Sequence, residues 1–187
     1  MLLFKRLRAL FFLISFAYLG FSISACRSSK TAKYSSDGKR YYIAFFIGEE
    51  GVQYFLKPIT FTNALTGDKL LADFTFRYKN VIKDSAIVNF SIKSLSPIKP
   101  VDSLNIETTS FKVSSKSVGF IFGDKIKKGF NTRHTVKIAV ADLKKLFNNA
   151  DWNFVIHSKN TVHKYRPSKQ SSKAIESIKN SVFVLLD

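Results

Sequence analysis

The sequence predicts a mainly β domain of the α+β type: an antiparallel β-sandwich or curved sheet carrying two short helices near its C-terminal half. Three observations lead there. Apolar and polar residues alternate with period two over residues 70–78, 86–93 and 136–140, as in strands with one buried face. These runs follow one another across turn signals with no helical crossover, which calls for antiparallel pairing. The apolar spacing becomes helical at only two places, residues 140–147 and 175–185, each with one stripe of large side chains.

In chain order, residues 41–47 (YYIAFFI) form a short aromatic and aliphatic strand that stops at Gly48-Glu49-Glu50-Gly51. Residues 52–61 continue as a strand. Pro58 within it removes a ladder donor and predicts an edge or a bulge. Thr66-Gly67-Asp68-Lys69 is a turn. After it Leu70, Ala72, Phe74, Phe76 and Tyr78 share one face, and Leu71, Asp73, Thr75 and Arg77 the other. Ala86, Val88, Phe90 and Ile92 repeat the inward pattern, and Pro97 and Pro100 mark a connection. Residues 104–113 give one or two weaker strands; Val118, Phe120 and Phe122 alternate in the next, and Val136, Ile138 and Val140 in another. Val140, Leu143, Leu146 and Phe147 then define a helix ended by Asn148-Asn149. Trp152, Phe154 and Ile156 start a strand that a Lys159-Asn160 turn returns through Val162 and Tyr165. A last helix begins after Pro167-Ser168, with Ile175, Ile178, Val182 and Leu185 on its stripe. The core-facing aromatics are expected to pack inward, with Tyr41, Tyr42 and Tyr54 also open to a role facing a glycan or a partner.

The organisation ahead of this domain is read from a different signal. Lys5, Arg6 and Arg8 precede an uncharged stretch from Ala9 to Ser24, and small residues lead to the sole cysteine. A basic start, a short apolar run and small residues at its end mark a secretory signal. Residues 1–25 are therefore expected to be a signal peptide. Residues 26–39, polar, small and basic, are expected to be a flexible tether, and 40–187 a single β-rich globular domain. Ile23, Ser24, Ala25 and Cys26 resemble the lipobox of bacterial lipoproteins, and the likeness covers this segment alone. It implies cleavage before Cys26, a diacylglycerol on its thiol and acylation of the new amino end. The partner so implied is membrane lipid, since two or three acyl chains hold a protein stably where one does not. By the same resemblance, Arg27 in place of an aspartate favours the outer membrane. The lack of an acidic cluster after Cys26 favours its periplasmic face.

Composition narrows the class of function. The chain has 187 residues, 45% of them hydrophobic, and a net charge of +17. That suits one domain with a sizeable core and excludes disordered and disulfide-stapled classes. One cysteine allows neither an intramolecular disulfide nor a multi-cysteine metal site. Beyond Cys26 the only arginines are Arg27, Arg40, Arg77, Arg133 and Arg166, so the excess charge is mostly lysine. Lysine suits diffuse attraction to anionic lipid or polysaccharide better than the forked contacts of nucleic-acid recognition, and no nucleic-acid partner is expected.

No catalytic set emerges. A Gly-x-Ser-x-Gly elbow is missing, and Glu49-Glu50, the only adjacent acidic pair, sits in a Gly-flanked turn and reads as a solvated loop. The run Gly123-Asp124-Lys125-Ile126-Lys127-Lys128-Gly129 departs from a phosphate loop in glycine spacing and in the Phe130 that follows. It reads as a hairpin loop whose Lys125, Lys127 and Lys128, extended by Arg133 and His134, are candidates for anion binding. His157 and His163 flank the Lys159-Asn160 turn; a two-residue turn puts them on opposite faces, a three-residue loop on one. No third ligand is evident, so neither a metal nor a cofactor is expected. The expected function is a membrane-anchored envelope lipoprotein, a non-catalytic module that binds or scaffolds another envelope component. The alternatives are a cell-wall or glycan-directed hydrolase and an electrostatic binder of anionic lipid or polysaccharide.

Overall fold

The fold follows from how far the alternating strands extend and where their pattern is broken. The computed structural model describes residues 40–79, 85–149 and 151–186; the signal peptide, the lipobox and Cys26 lie outside them. The described residues form β1 (Tyr42–Phe46), β2 (Val52–Thr62), β3 (Lys69–Tyr78), β4 (Ser85–Ser94), β5 (Ser103–Glu107), β6 (Lys112–Ser115), β7 (Gly119–Ile126) and β8 (Gly129–Ala139). Helix α1 (Val140–Phe147), β9 (Asn153–Ser158), β10 (Thr161–Pro167), helix α2 (Lys169–Ser181) and a closing 3-10 turn (Phe183–Leu186) complete the chain. All pairings are antiparallel, in the order β6-β5-β9-β10-β2-β3-β4-β8-β7, with β1 beside β2. Of the two expected architectures the curved sheet is the one formed: a single sheet curled into a half-barrel, with the helices against its inner face.

Pro58 marks the point where β2 bends. The register with β3 shifts between Leu56 and Ile59, one residue more being used on β2 than on β3. On its other edge β2 pairs with β1 through Val52–Leu56 and with β10 through Phe61 and Thr62. The bulge lets one strand serve two neighbours in succession.

The core is the inward row of each strand. Leu70, Ala72, Phe74 and Phe76 of β3 lie beside Ala86, Val88, Phe90 and Ile92 of β4, all buried. Tyr42 and Tyr54 are also buried, and Tyr54 stacks on Phe76 at 5.2 Å, so these two tyrosines serve packing. Helix α1 drops Phe147 into the hollow, where it meets Trp152 at 4.6 Å and Phe183 at 4.5 Å. Helix α2 starts with Ser168, whose hydroxyl accepts the Ser171 amide. The Ser171 hydroxyl in turn donates to the Thr60 carbonyl and ties the helix to β2. The expected stripe of α2 holds for Ile175, Ile178 and Val182 and fails at Leu185, which is 42% exposed. The α-helix ends at Ser181, and the tighter turn that follows rotates Phe183 and Leu186 inward instead.

The two ends of the sheet are neighbours in sequence. β6 closes one end, β7 the other, and residues 116–118 join them. So short a link spans at most roughly 14 Å, which forces the curl. β6 meets β8 across the closure, and β7 beyond it is exposed along nearly its whole length. The alternation expected for Phe120 and Phe122 is broken for the same reason. A bulge at Ile121 shifts the register, so Phe120 pairs with His134 on the inner side and Phe122 with Arg133 on the outer side.

Candidate functional site

Three connections meet at one end of the half-barrel and enclose a cleft of about 330 Å³. Thr66 and Asp68 come from the β2–β3 loop, residues 94–99 from the end of β4 and the connection after it, and Ser158, Lys159, Thr161 and His163 from the β9–β10 hairpin. The walls are set by short local bonds. The Ser94 hydroxyl donates to the Ser96 carbonyl at 2.7 Å, the Ser158 hydroxyl to the Pro100 carbonyl at 2.6 Å, and the Asp68 amide to the Thr66 hydroxyl at 3.3 Å. The Lys99–Pro100 peptide is cis.

What remains uncommitted is the cleft's chemistry. Among the described residues, the side chains of Asp68, Lys159, Thr161 and His163 have no hydrogen-bond or ion-pair partner. The Lys99 ammonium lies 5.6 Å above the Phe120 ring. Lys159 holds φ at 54°, a conformation that two-residue hairpins usually give to glycine or asparagine. The turn is the two-residue one, with Ser158 opposite Thr161 and Ile156 opposite His163, so His157 and His163 fall on opposite faces. His157 is instead 3.4 Å from the Asn105 amide on β5. Beside the cleft, Tyr165 is fully buried, and its hydroxyl has no hydrogen-bond partner among the described residues. Burial and the charge of Asp68 both push its pKa above the ordinary tyrosine value.

The four expected anion-binding residues divide. Lys125, Lys127 and Lys128 are exposed on the β7–β8 hairpin, where Ile126 pairs with Gly129 across the two-residue turn. Gly129 has φ 106°, and a Cβ there would stand 2.2 Å from the Ser94 carbonyl oxygen, so this turn requires glycine and is seated against the end of β4. Arg133 does not extend the lysine group. It points from the outer face of β8, donating to Asp73 at 2.7 Å and to Ser91 at 3.0 Å. Asn89 donates to the other oxygen of Asp73 at 3.1 Å. Glu50, in the Gly-flanked turn, pairs with Arg77 at 2.6 Å.

His134 does not extend the lysine group either. It is 1% exposed, stacked on Phe90 at 5.3 Å and edge-on to Phe120 at 5.5 Å. Burial lowers its pKa from 6.5, partly opposed by the Ile98 backbone. Well above pH 6.5 neither the folded nor the unfolded chain protonates it. Below that, the unfolded chain takes up a proton that the folded chain resists, so stability falls with pH until the folded-state pKa is reached. The slope in that window is at most about 1.4 kcal/mol per pH unit. His134→Phe is expected to flatten the fall in melting temperature as the pH drops below 6.5, relative to the parent. An identical fall in both proteins would mean that the imidazole protonates freely inside the fold.

No family model, no curated protein and no solved structure matches the chain. Among the described residues no group of three or more His, Cys, Asp and Glu side chains is placed to hold a metal ion. No helix among them is long and apolar enough to cross a membrane.

Proposed function

We propose that this protein is a lipid-anchored module of a bacterial envelope, held through Cys26 at the periplasmic face of the outer membrane, and that its cleft binds an acidic saccharide unit. The observation that carries the binding role is the convergence of Lys99, Lys159 and His163 with Asp68 and several hydroxyls in one cleft, where the side chains of Asp68, Lys159, Thr161 and His163 have no hydrogen-bond or ion-pair partner among the described residues. Two ammonium groups and an imidazole against one carboxylate favour a net negative ligand. Asp68 and the hydroxyls of Thr66, Ser96 and Thr161 suit a ligand that also carries many hydroxyls. The volume falls at the small end of ligand pockets, room for one or two sugar rings rather than a long chain. Among the described residues Asp68 is the only carboxylate lining it. A hydrolase of glycans ordinarily uses two, so the geometry supports a binder.

Two measurements test the two halves. Labelling with a clickable fatty acid is expected to mark the parent and not Cys26→Ala; equal labelling of both ends the anchor reading. Titration with glucuronate and with glucose, followed by amide chemical shifts, is expected to move the cleft residues with the acid far more than with the neutral sugar. Lys99→Gln combined with Lys159→Gln is expected to weaken that binding about tenfold or more, as for the loss of two charge-assisted contacts. Equal responses to the two sugars would remove the acidic-saccharide assignment.

A further inference from the structure

We infer that the β7–β8 hairpin is a membrane-docking element that lays the domain on an anionic bilayer. Phe120, Ile121 and Phe122 are 52%, 48% and 37% exposed, three consecutive large apolar side chains on a free sheet edge. Monomeric soluble domains blunt such edges or bury them. Here the cause is built into the fold, because β6 packs against β8 and leaves β7 overhanging, and the bulge at Ile121 turns its side chains to both sides. Leu95, 78% exposed, adds an apolar side chain where the hairpin turn meets the end of β4.

Charge selects the occupant. Lys125, Lys127 and Lys128 crown the hairpin and Lys99 lies over Phe120, against one acid on the strand, Asp124. Apolar side chains rimmed by ammonium groups match the boundary between acyl chains and anionic headgroups. A second exposed apolar patch, Ile43, Phe45, Phe46 and Phe55, differs on this point: Glu49 and Glu50 lie between its two strands and outnumber Lys57 beyond Phe55, so it carries no unopposed group of lysines. A second copy of the chain is a poor electrostatic match to the hairpin, since each copy carries a net charge of +17. Each lysine near an anionic surface is worth roughly fivefold in partitioning, so three together are worth about a hundredfold.

The acyl anchor supplies the setting for this contact, and the contact is measurable without it. Among the described residues the core runs from Tyr42 to Leu186, so a chain of residues 34–187 keeps that core and lacks Cys26. That chain is to be sedimented with vesicles of phosphatidylethanolamine and phosphatidylglycerol, and with phosphatidylcholine alone. It is expected to bind the anionic vesicles and not the neutral ones. Binding is expected to fall about a hundredfold when Lys125, Lys127 and Lys128 are all changed to Gln. Phe120→Ser with Phe122→Ser is expected to cost roughly tenfold, whereas Ile43→Ser with Phe45→Ser changes nothing. Phe122→Trp reports depth, its fluorescence being quenched by brominated lipid. The lysine variants alter only exposed side chains, so they decide the matter even if the phenylalanine variants unfold. Unchanged binding in the triple lysine variant, or an unquenched tryptophan, overturns the inference. So does lipid-independent dimerisation abolished by the phenylalanine changes, which would make the strand an interface between copies. Failure of fatty-acid labelling at Cys26 would remove the anchor and leave this result standing.

Discussion

Trp152→Ala is expected to cost about 3–5 kcal/mol, the range for a large aromatic deleted from a packed core. The indole is fully buried and is the point where sheet and helices meet. It stacks on Phe61 of β2 at 6.3 Å and stands edge-on to Phe74 of β3 at 5.8 Å and to Phe147 of α1 at 4.6 Å. Its Nε1 donates to the Leu146 carbonyl at 2.7 Å and the Asn149 carbonyl at 2.8 Å, closing the end of α1, where carbonyls lack intrahelical partners. Removing it empties the middle of the cluster and frees both carbonyls. Trp152→Phe keeps most of the volume and loses only those bonds, so it is expected to cost about 1–2 kcal/mol. Urea unfolding of the two variants separates packing from bonding. Equal and small losses would show that α1 and the residues after it are not held by this side chain.

How far this architecture could be read in advance depended on the range of the interactions that decide each part. The inward rows of β3 and β4, helix α1 and the bulge at Pro58 rest on properties of single segments: period, an absent amide proton, the spacing of Val140, Leu143, Leu146 and Phe147. Those were legible. Leu185 was misplaced because a change from α to 3-10 winding after Ser181 is set by how Phe183 packs on Phe76 and Phe147, which is tertiary. Phe120 and Phe122 carried a normal strand pattern and lie on opposite sides of an uncovered edge. Only the meeting of β6 with β8 settles that, and the two strands belong to distant parts of the sheet.

The cleft was harder still. Its groups come from residues 66–68, 94–99 and 158–163, and no one of these stretches is a motif. The one local hint was the Lys159-Asn160 turn, whose two-residue form follows from the pairing of Ser158 with Thr161 and whose strained lysine stands in the cleft wall. Arg133 shows the reverse error. By position it follows a lysine-rich loop, but alternation along β8 carries it to the outer face, where Asp73 occupies it.

That pairing sets the second large effect. Asp73→Ala is expected to cost about 1–3 kcal/mol, the range for losing hydrogen bonds to a charged group. The two side chains are 26% and 19% exposed, for Arg133 and Asp73, so solvent replaces only part of what is lost. Three strands meet at this carboxylate: Asp73 on β3 accepts from Asn89 on β4 and from Arg133 on β8, and Arg133 also donates to Ser91. Deleting the acid leaves a guanidinium and an amide half-buried without their acceptor. Deleting both ends, as Asp73→Leu with Arg133→Met, leaves no charge to desolvate and is expected to cost less than the two single changes added together. Urea unfolding of the parent, the two singles and the double closes the cycle. Additive losses would mean that the ion pair contributes no coupling and that the outer face of the sheet is held by its ladder alone.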